Sequence, residues 1–285
     1  DQKITEIYGK KAPEGELLTD SFTRMLTDSL NIYKILARPT SFDLGEARIV
    51  SLDLDEVAKT GGPMADRQTA VMYMLARYVL GRDFKLNKDV ASQMPYPSHI
   101  DCPKAIPVSL YREYHTKRAE EIYEDFKCLC MDEFHRTSKA QTVRDQVVVD
   151  MREGRKWKLS VVLASQSLDD FDKNMREFAT TIFIMDGGTE ETIDKITQVF
   201  GMEDEAERYA LKNRITGPRR GGGTFMAKFS TKKGWYTQSP TSTFGSIKLG
   251  AFSTTAEDVT LRNKLYKLIG PADARRILAE QFPDG

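Results

Sequence analysis

Between Tyr111 and Gly187 the sequence alternates helix-length segments with short, densely apolar runs, and this alternation restricts the fold more than any other feature. "REYHTKRAEEIYEDF" is laced with charge and predicts a helix; "KCLCMDE" predicts a buried strand; "KAQTVRDQVVVDMREGRKW" predicts a second helix. "KLSVVLASQS" and "ATTIFIMDG" predict two more buried strands. Strands separated by helices of this length imply a parallel sheet. The expected class is α/β, with a mostly parallel sheet flanked by helices.

The flanking sequence fits around that series. After a Gly/Pro-containing joint, "YGKKAPEG", the segment "ELLTDSFTRMLTDSLNIYKIL" has apolar residues at helical intervals through Leu17, Phe22, Leu26 and Leu30. "ARIVSLDLDEVA" predicts a short strand followed by acidic turn residues and closed by "KTGGP". "DRQTAVMYMLARYVLGRD" predicts a helix capped by Asp66, apolar on nearly every face, buried in the core and ending near Gly81. Four prolines between Phe84 and Val108 predict a loop. Beyond the third strand, helices are expected over 189–200 and 204–211, then a β-hairpin in "GGGTFMAKFSTKKGWYTQ" turning at Lys-Lys-Gly. Two helices broken at Gly270-Pro271 end the chain. With 285 residues a sizeable core is available, and one domain is expected, its core at about 35–240 and a helical tail at 241–285.

Composition narrows the partners. Lys plus Arg and Asp plus Glu number 42 each, so no global basic field favours nucleic acid, which is not an expected partner. Cys102, Cys128 and Cys130 lack a second ligand pair at zinc spacing and read as reduced thiols. His99, His115 and His135 share no face or strand, which leaves a zinc site or nucleophile triad without support. No apolar run approaches the roughly 18 residues of a membrane span, and no signal peptide precedes the first helix, so a soluble chain is expected. The start at Asp1, without methionine, reads as a fragment.

Ligands of a parallel sheet gather at the carboxyl ends of its strands. Asp132 and Glu133 sit at one such end, and Ser165, Gln166 and Ser167 at the next. A carboxylate can hold magnesium through water, a second can take the proton of an attacking water, and an amide can orient that water. The same Asp-Glu pair also reads as a charge pair complementing a helix dipole. Arg155, with Arg152 and Lys156, ends the helix before the strand that delivers Gln166. It reads either as a dipole-stabilising charge or as an arginine offered to a nucleotide phosphate in its own subunit or across an interface. Arg219 and Arg220, before three glycines, read as a phosphate-binding turn or as a flexible hairpin entrance. G-x-x-x-x-G-K-[ST] is absent: the nearest Gly-Lys pair, Gly9-Lys10, is followed by Lys11. An ATPase reading therefore places the phosphate loop upstream of Asp1.

The succession "ARPTSFDLGEARIVSLDLDEV", "TAVMYMLARYVL", "KCLCMDEFHRT", "REGRKWKLSVVLASQSLDDF" and "TIFIMDG" resembles the carboxyl-terminal RecA-like half of the large ATPases of type IV secretion and conjugation, most nearly the Dot/Icm branch. The likeness covers roughly residues 35 to 240. It implies ATP and Mg2+ as cofactors, Asp132 on the magnesium side, Glu133 as the water-activating base, Gln166 as sensor and Arg155 near the helix end. It further implies a homo-hexamer in the cytoplasm, peripheral at the bacterial inner membrane. The partners implied are a second secretion ATPase ring, the inner-membrane secretion complex and secreted effector proteins. Two rival functions stand beside it: a non-catalytic oligomerisation or docking module, and a DNA-pumping conjugation motor, for which "STKKGW" and "GPRRGGG" are the nearest basic features.

Overall fold

The computed structural model describes residues 47–55, 61–81, 83–85, 104–217 and 222–283, together with five helical residues between Asp20 and Thr27 that lie in the segment expected to be helical. The rest of that first helix, most of the proline-rich loop with His99 and Cys102, and Arg219 and Arg220 lie outside the described residues. The chain divides into two compact units, Asp1–Asp172 and Lys173–Gly285.

In the first unit, helix α1 spans Pro63–Gly81. It starts four residues earlier than a cap at Asp66 places it, because proline at a first helical position has the right φ and gives up only an N–H that would lack a partner there. Asp66 thus lies in the first turn. The helix is half buried rather than enclosed: Thr69, Met72 and Tyr73 are buried, whereas Met64 and Tyr78 are exposed. Helix α2, Val108–Glu124, buries only Ala119, as its charge-laced sequence requires.

Strand β1, Lys127–Met131, pairs in parallel with β2, Leu159–Leu163, in the register Leu129 to Val161. The crossover is helix α3, Gln141–Glu153, which buries Val143, Val147 and Asp150 along one stripe. Gly154 closes the crossover: a Cβ there would meet the Leu159 carbonyl oxygen at 2.5 Å. The strands are not buried on both faces as their composition suggests. Leu129 and Met131 are buried, but Cys128, Cys130, Ser160 and Val162 are exposed. Partial burial, the neighbouring Cys128 and the charge of Asp132 together push the Cys130 thiol up.

The second unit corrects the expectation of a third parallel strand. After helix α4, Lys173–Phe178, strand β3, Thr181–Ile184, pairs antiparallel with β5, Met226–Thr231, which pairs antiparallel with β6, Gly234–Gln238. The β5–β6 hairpin turns at Lys232-Lys233, with Gly234 at φ 122°, as the Lys-Lys-Gly signal predicts. Short strands Gly223–Thr224 (β4) and Thr241–Ser242 (β7) pair at its base. Helices α5, Glu190–Phe200, and α6, Glu205–Asn213, are capped by the Thr189 and Asp204 side chains. Helices α7, Ser246–Phe252, α8, Ala256–Ile269, and α9, Pro271–Gln281, pack on one another, with the last two broken at Gly270 as expected. The architecture is mixed α/β, with small parallel and antiparallel sheets.

Candidate functional site at the ends of the parallel strands

Two backbone bonds carry the β1–β2 pairing past both strand ends. Ala164 N–H donates to the Met131 carbonyl at 3.0 Å, and Phe134 N–H to the Ala164 carbonyl at 2.9 Å. Asp132 and Glu133 are thereby set beside Ser165 and Gln166. Phe134, wholly buried and stacked on Phe171 with centroids 6.0 Å apart, anchors the turn that follows. Between that anchor and the strand, Glu133 takes left-handed backbone at φ 51°, ψ 42°. That conformation costs a residue with a Cβ roughly 1–2 kcal/mol. Asp132 Oδ1 accepts the Glu133 N–H at 2.9 Å, a local bond that offsets part of the cost.

The strained turn aims the Glu133 carboxylate at groups from both strand ends. Gln166 Nε2 lies 3.5 Å from each of its oxygens, and His135 Nε2 lies 3.5 Å from Oε2. Contacts of that length are weak as hydrogen bonds but leave room for closer approach when a ligand is present. His135 Nδ1 is buried without a hydrogen-bond partner among the described residues. Its backbone N–H donates to Ser165 Oγ at 3.1 Å, and Ser165 Oγ donates to Asp170 Oδ2 at 2.6 Å. Asp170 also closes a capping box with Ser167. Arg144, buried on α3, donates to the Asp170 carbonyl at 2.8 Å and covers the Phe134 ring at 5.4 Å. The second strand end is therefore braced against the first.

Tyr73 of α1 is buried and lines the same cavity as Arg136, Asp55, Glu133 and Asp132. Burial raises its hydroxyl above the ordinary tyrosine value, opposed by Arg136 and reinforced by the three acids. Arg136 is itself paired with Asp55 at 2.8 Å.

The other candidate residues are not brought to this place. Arg155 is exposed in the turn Gly154–Trp157, at the amino end of β2, whereas Gln166 follows its carboxyl end. The five-residue strand between them puts roughly 17 Å along the sheet between Arg155 and the Glu133 end. Sequence reasoning missed His135, Tyr73, Arg144 and Asp170 as members of the site. The Ser167-x-x-Asp170 spacing of a capping box was a usable signal for Asp170. Nothing local marks Tyr73, because its contact to the site is made by tertiary packing.

Asp132 offers one donor of the kind that magnesium takes. Asp132 is exposed, supplies hard carboxylate oxygen, and commits only Oδ1 to the neighbouring N–H. Among the described residues no group of three His, Cys, Asp or Glu side chains is arranged to hold a metal by itself. No family model matches this chain, and no curated protein or solved structure matches it either.

Proposed function

We propose that the chain is the carboxyl-terminal RecA-like portion of a cytoplasmic ATPase, AAA+/RecA-like in type, that energises Dot/Icm-like type IV protein secretion, of the kind called DotO or IcmB. The observation that carries the reading is the convergence of Glu133 and the Gln166 amide at adjacent ends of two parallel strands, with Glu133 held in strained backbone. Strain of this kind persists where surrounding structure over-determines it, and it concentrates at functional sites. In this reading Asp132 would hold magnesium through water, and the ion, when bound, would supply charge neutralisation at the phosphates. Glu133 takes the proton of the attacking water, and Gln166 orients that water and senses the γ-phosphate. The phosphate loop comes from sequence upstream of Asp1, and the working form is a hexamer at the inner membrane. Arg155, far from Glu133 within its own subunit, serves the nucleotide of a neighbour.

Titration with Mg-ATP by calorimetry tests this, using the chain as given and a version extended upstream through the phosphate loop. Binding and hydrolysis by the longer protein are expected; absence of binding in both would sink the reading. In the longer protein, Glu133→Gln should keep nucleotide binding and abolish turnover, and undiminished turnover would refute the role of Glu133 as base. A docking module is the second reading. It is favoured by the apolar side chains that the carboxyl-terminal helices leave in solvent, Phe252 at 71% and Leu268 at 77% exposure.

A further inference from the structure

Residues 47–55 form no ladder in the described structure, yet they alternate like a strand. Val50, Leu52 and Leu54 are half buried, while Ile49, Ser51, Asp53 and Asp55 are exposed. Two ion pairs fasten the segment beside β1. Arg48 Nη1 lies 3.0 Å from Asp125 Oδ2, just before the strand, and Asp55 Oδ1 lies 2.8 Å from Arg136 Nη1, just after it. First end meets first end and last meets last, so the segment runs in the direction of β1. Its end is marked: Asp55 N–H donates to Asp53 Oδ1 at 2.9 Å, a turn bond that stops an extended run.

β1 has an edge to offer. Lys127 N–H and the Met131 carbonyl both bond towards the β2 side. Backbone direction alternates along a strand, so the N–H and C=O groups of Cys128 and Cys130 point to the opposite edge. That edge carries no partner strand among the described residues. A cavity of about 1350 Å3 lies between it, the 47–55 segment, α1 and α2, with Leu52, Leu54, Tyr73, Ala119, Ile122 and Cys130 in its walls. An open row of peptide groups facing such walls is an incomplete sheet edge.

We propose that residues 50–54 close onto this edge as a third strand of the parallel sheet, and that Asp55, held by Arg136, is a positioning residue for the Glu133 turn. The second half rests on the hydrolytic reading above. Arg136 belongs to the turn Phe134–Thr137 that follows Glu133, so the pair ties a third strand end to the strained residue. Both side chains are partly exposed, 29% for Arg136 and 70% for Asp55, so the contact contributes geometry rather than stability.

Amide hydrogen exchange at single-residue resolution on this chain decides the strand. Cys128 and Cys130 are expected to exchange within about tenfold of Leu129, whose amide faces β2; exchange about a hundredfold faster than Leu129 would overturn the strand. Turnover decides the positioning role, in the protein extended upstream. Asp55→Asn and Arg136→Gln should each lower kcat about tenfold with Mg-ATP affinity unchanged, as misplacement of a reacting group does. The charge-swapped double variant, Asp55→Arg with Arg136→Asp, should recover most of the loss. A swap no better than either single variant, or loss of affinity in place of kcat, would overturn the role. If the unaltered extended protein hydrolyses nothing, the hydrolytic reading and the positioning role fail together, while the exchange measurement still decides the strand.

Discussion

Glu133 holds a left-handed backbone that glycine would occupy without a Cβ penalty, so its side chain and its stability are in opposition. Glu133→Gly should therefore stabilise the chain by about 1 kcal/mol, read as a higher urea midpoint, whereas Glu133→Gln should leave the midpoint unchanged. A destabilised glycine variant would mean that the carboxylate contributes to folding rather than to chemistry. Asp150 behaves in the opposite way. It is 1% exposed on α3, gripped by Arg77 through two bonds of 2.6 Å and by Lys85 at 3.1 Å. Burial alone would raise its pKa, but the hydrogen bonds from Arg77 and Lys85 outweigh burial and hold it below the ordinary value. A carboxylate so depressed contributes its full stability above the unfolded value of about 3.9 and loses it as pH falls through the folded value. Urea midpoints should consequently drop on acidification below about pH 4, and Asp150→Asn should flatten that drop. Asp150→Ala should cost about 3 kcal/mol, at the lower end for a broken buried pair because both cations retain some contact with water. The sequence announced Asp132 and Glu133, since an acid pair after an apolar run is a local pattern. Asp150, embedded in "VVVDM", carried no such mark, because its partners lie on and just after α1, more than sixty positions earlier.

At the scale of elements, what was legible was what depends on neighbours in sequence. The α2, β1, α3, β2 succession, the helices expected over 189–200 and 204–211, the Lys-Lys turn and the break at Gly270 are all local signals, and each is close to where the pattern put it. The pairing of β3 was not legible, because Thr181–Ile184 finds its partner more than forty residues later in Met226–Thr231. Lys228 shows why that strand belongs there. It is 5% exposed, yet its ammonium donates to the Phe200 and Gly201 carbonyls at 2.8 and 2.9 Å and so caps the carboxyl end of α5. Lys228→Met should cost about 2 kcal/mol, since charge-assisted bonds to helix-end carbonyls are lost and those carbonyls stay covered. Thermal unfolding of the variant against wild type measures this; a loss under a few tenths would mean that water replaces the ammonium freely.

For the whole molecule the deciding fact is the separation of Arg155 from Glu133 at opposite ends of β2. A helix-end charge acting only on its own dipole and a finger acting on a neighbour's phosphate both fit an exposed arginine there, and they differ in what a mixture of subunits can do. In the upstream-extended protein, Glu133→Gln and Arg155→Ala should each lack turnover alone. Mixed one to one and reassembled, subunits that share sites across interfaces would form about a quarter of interfaces with both groups intact, one from each partner. Turnover recovering towards that fraction is the expected outcome. A mixture as inactive as its parents would place Arg155 within its own subunit's machinery. An Arg155→Ala protein that hydrolyses normally but unfolds earlier would make it a helix-end charge and nothing more. The same mixture also tests the docking-module reading, because complementation requires that oligomers form and that hydrolysis occur at their seams.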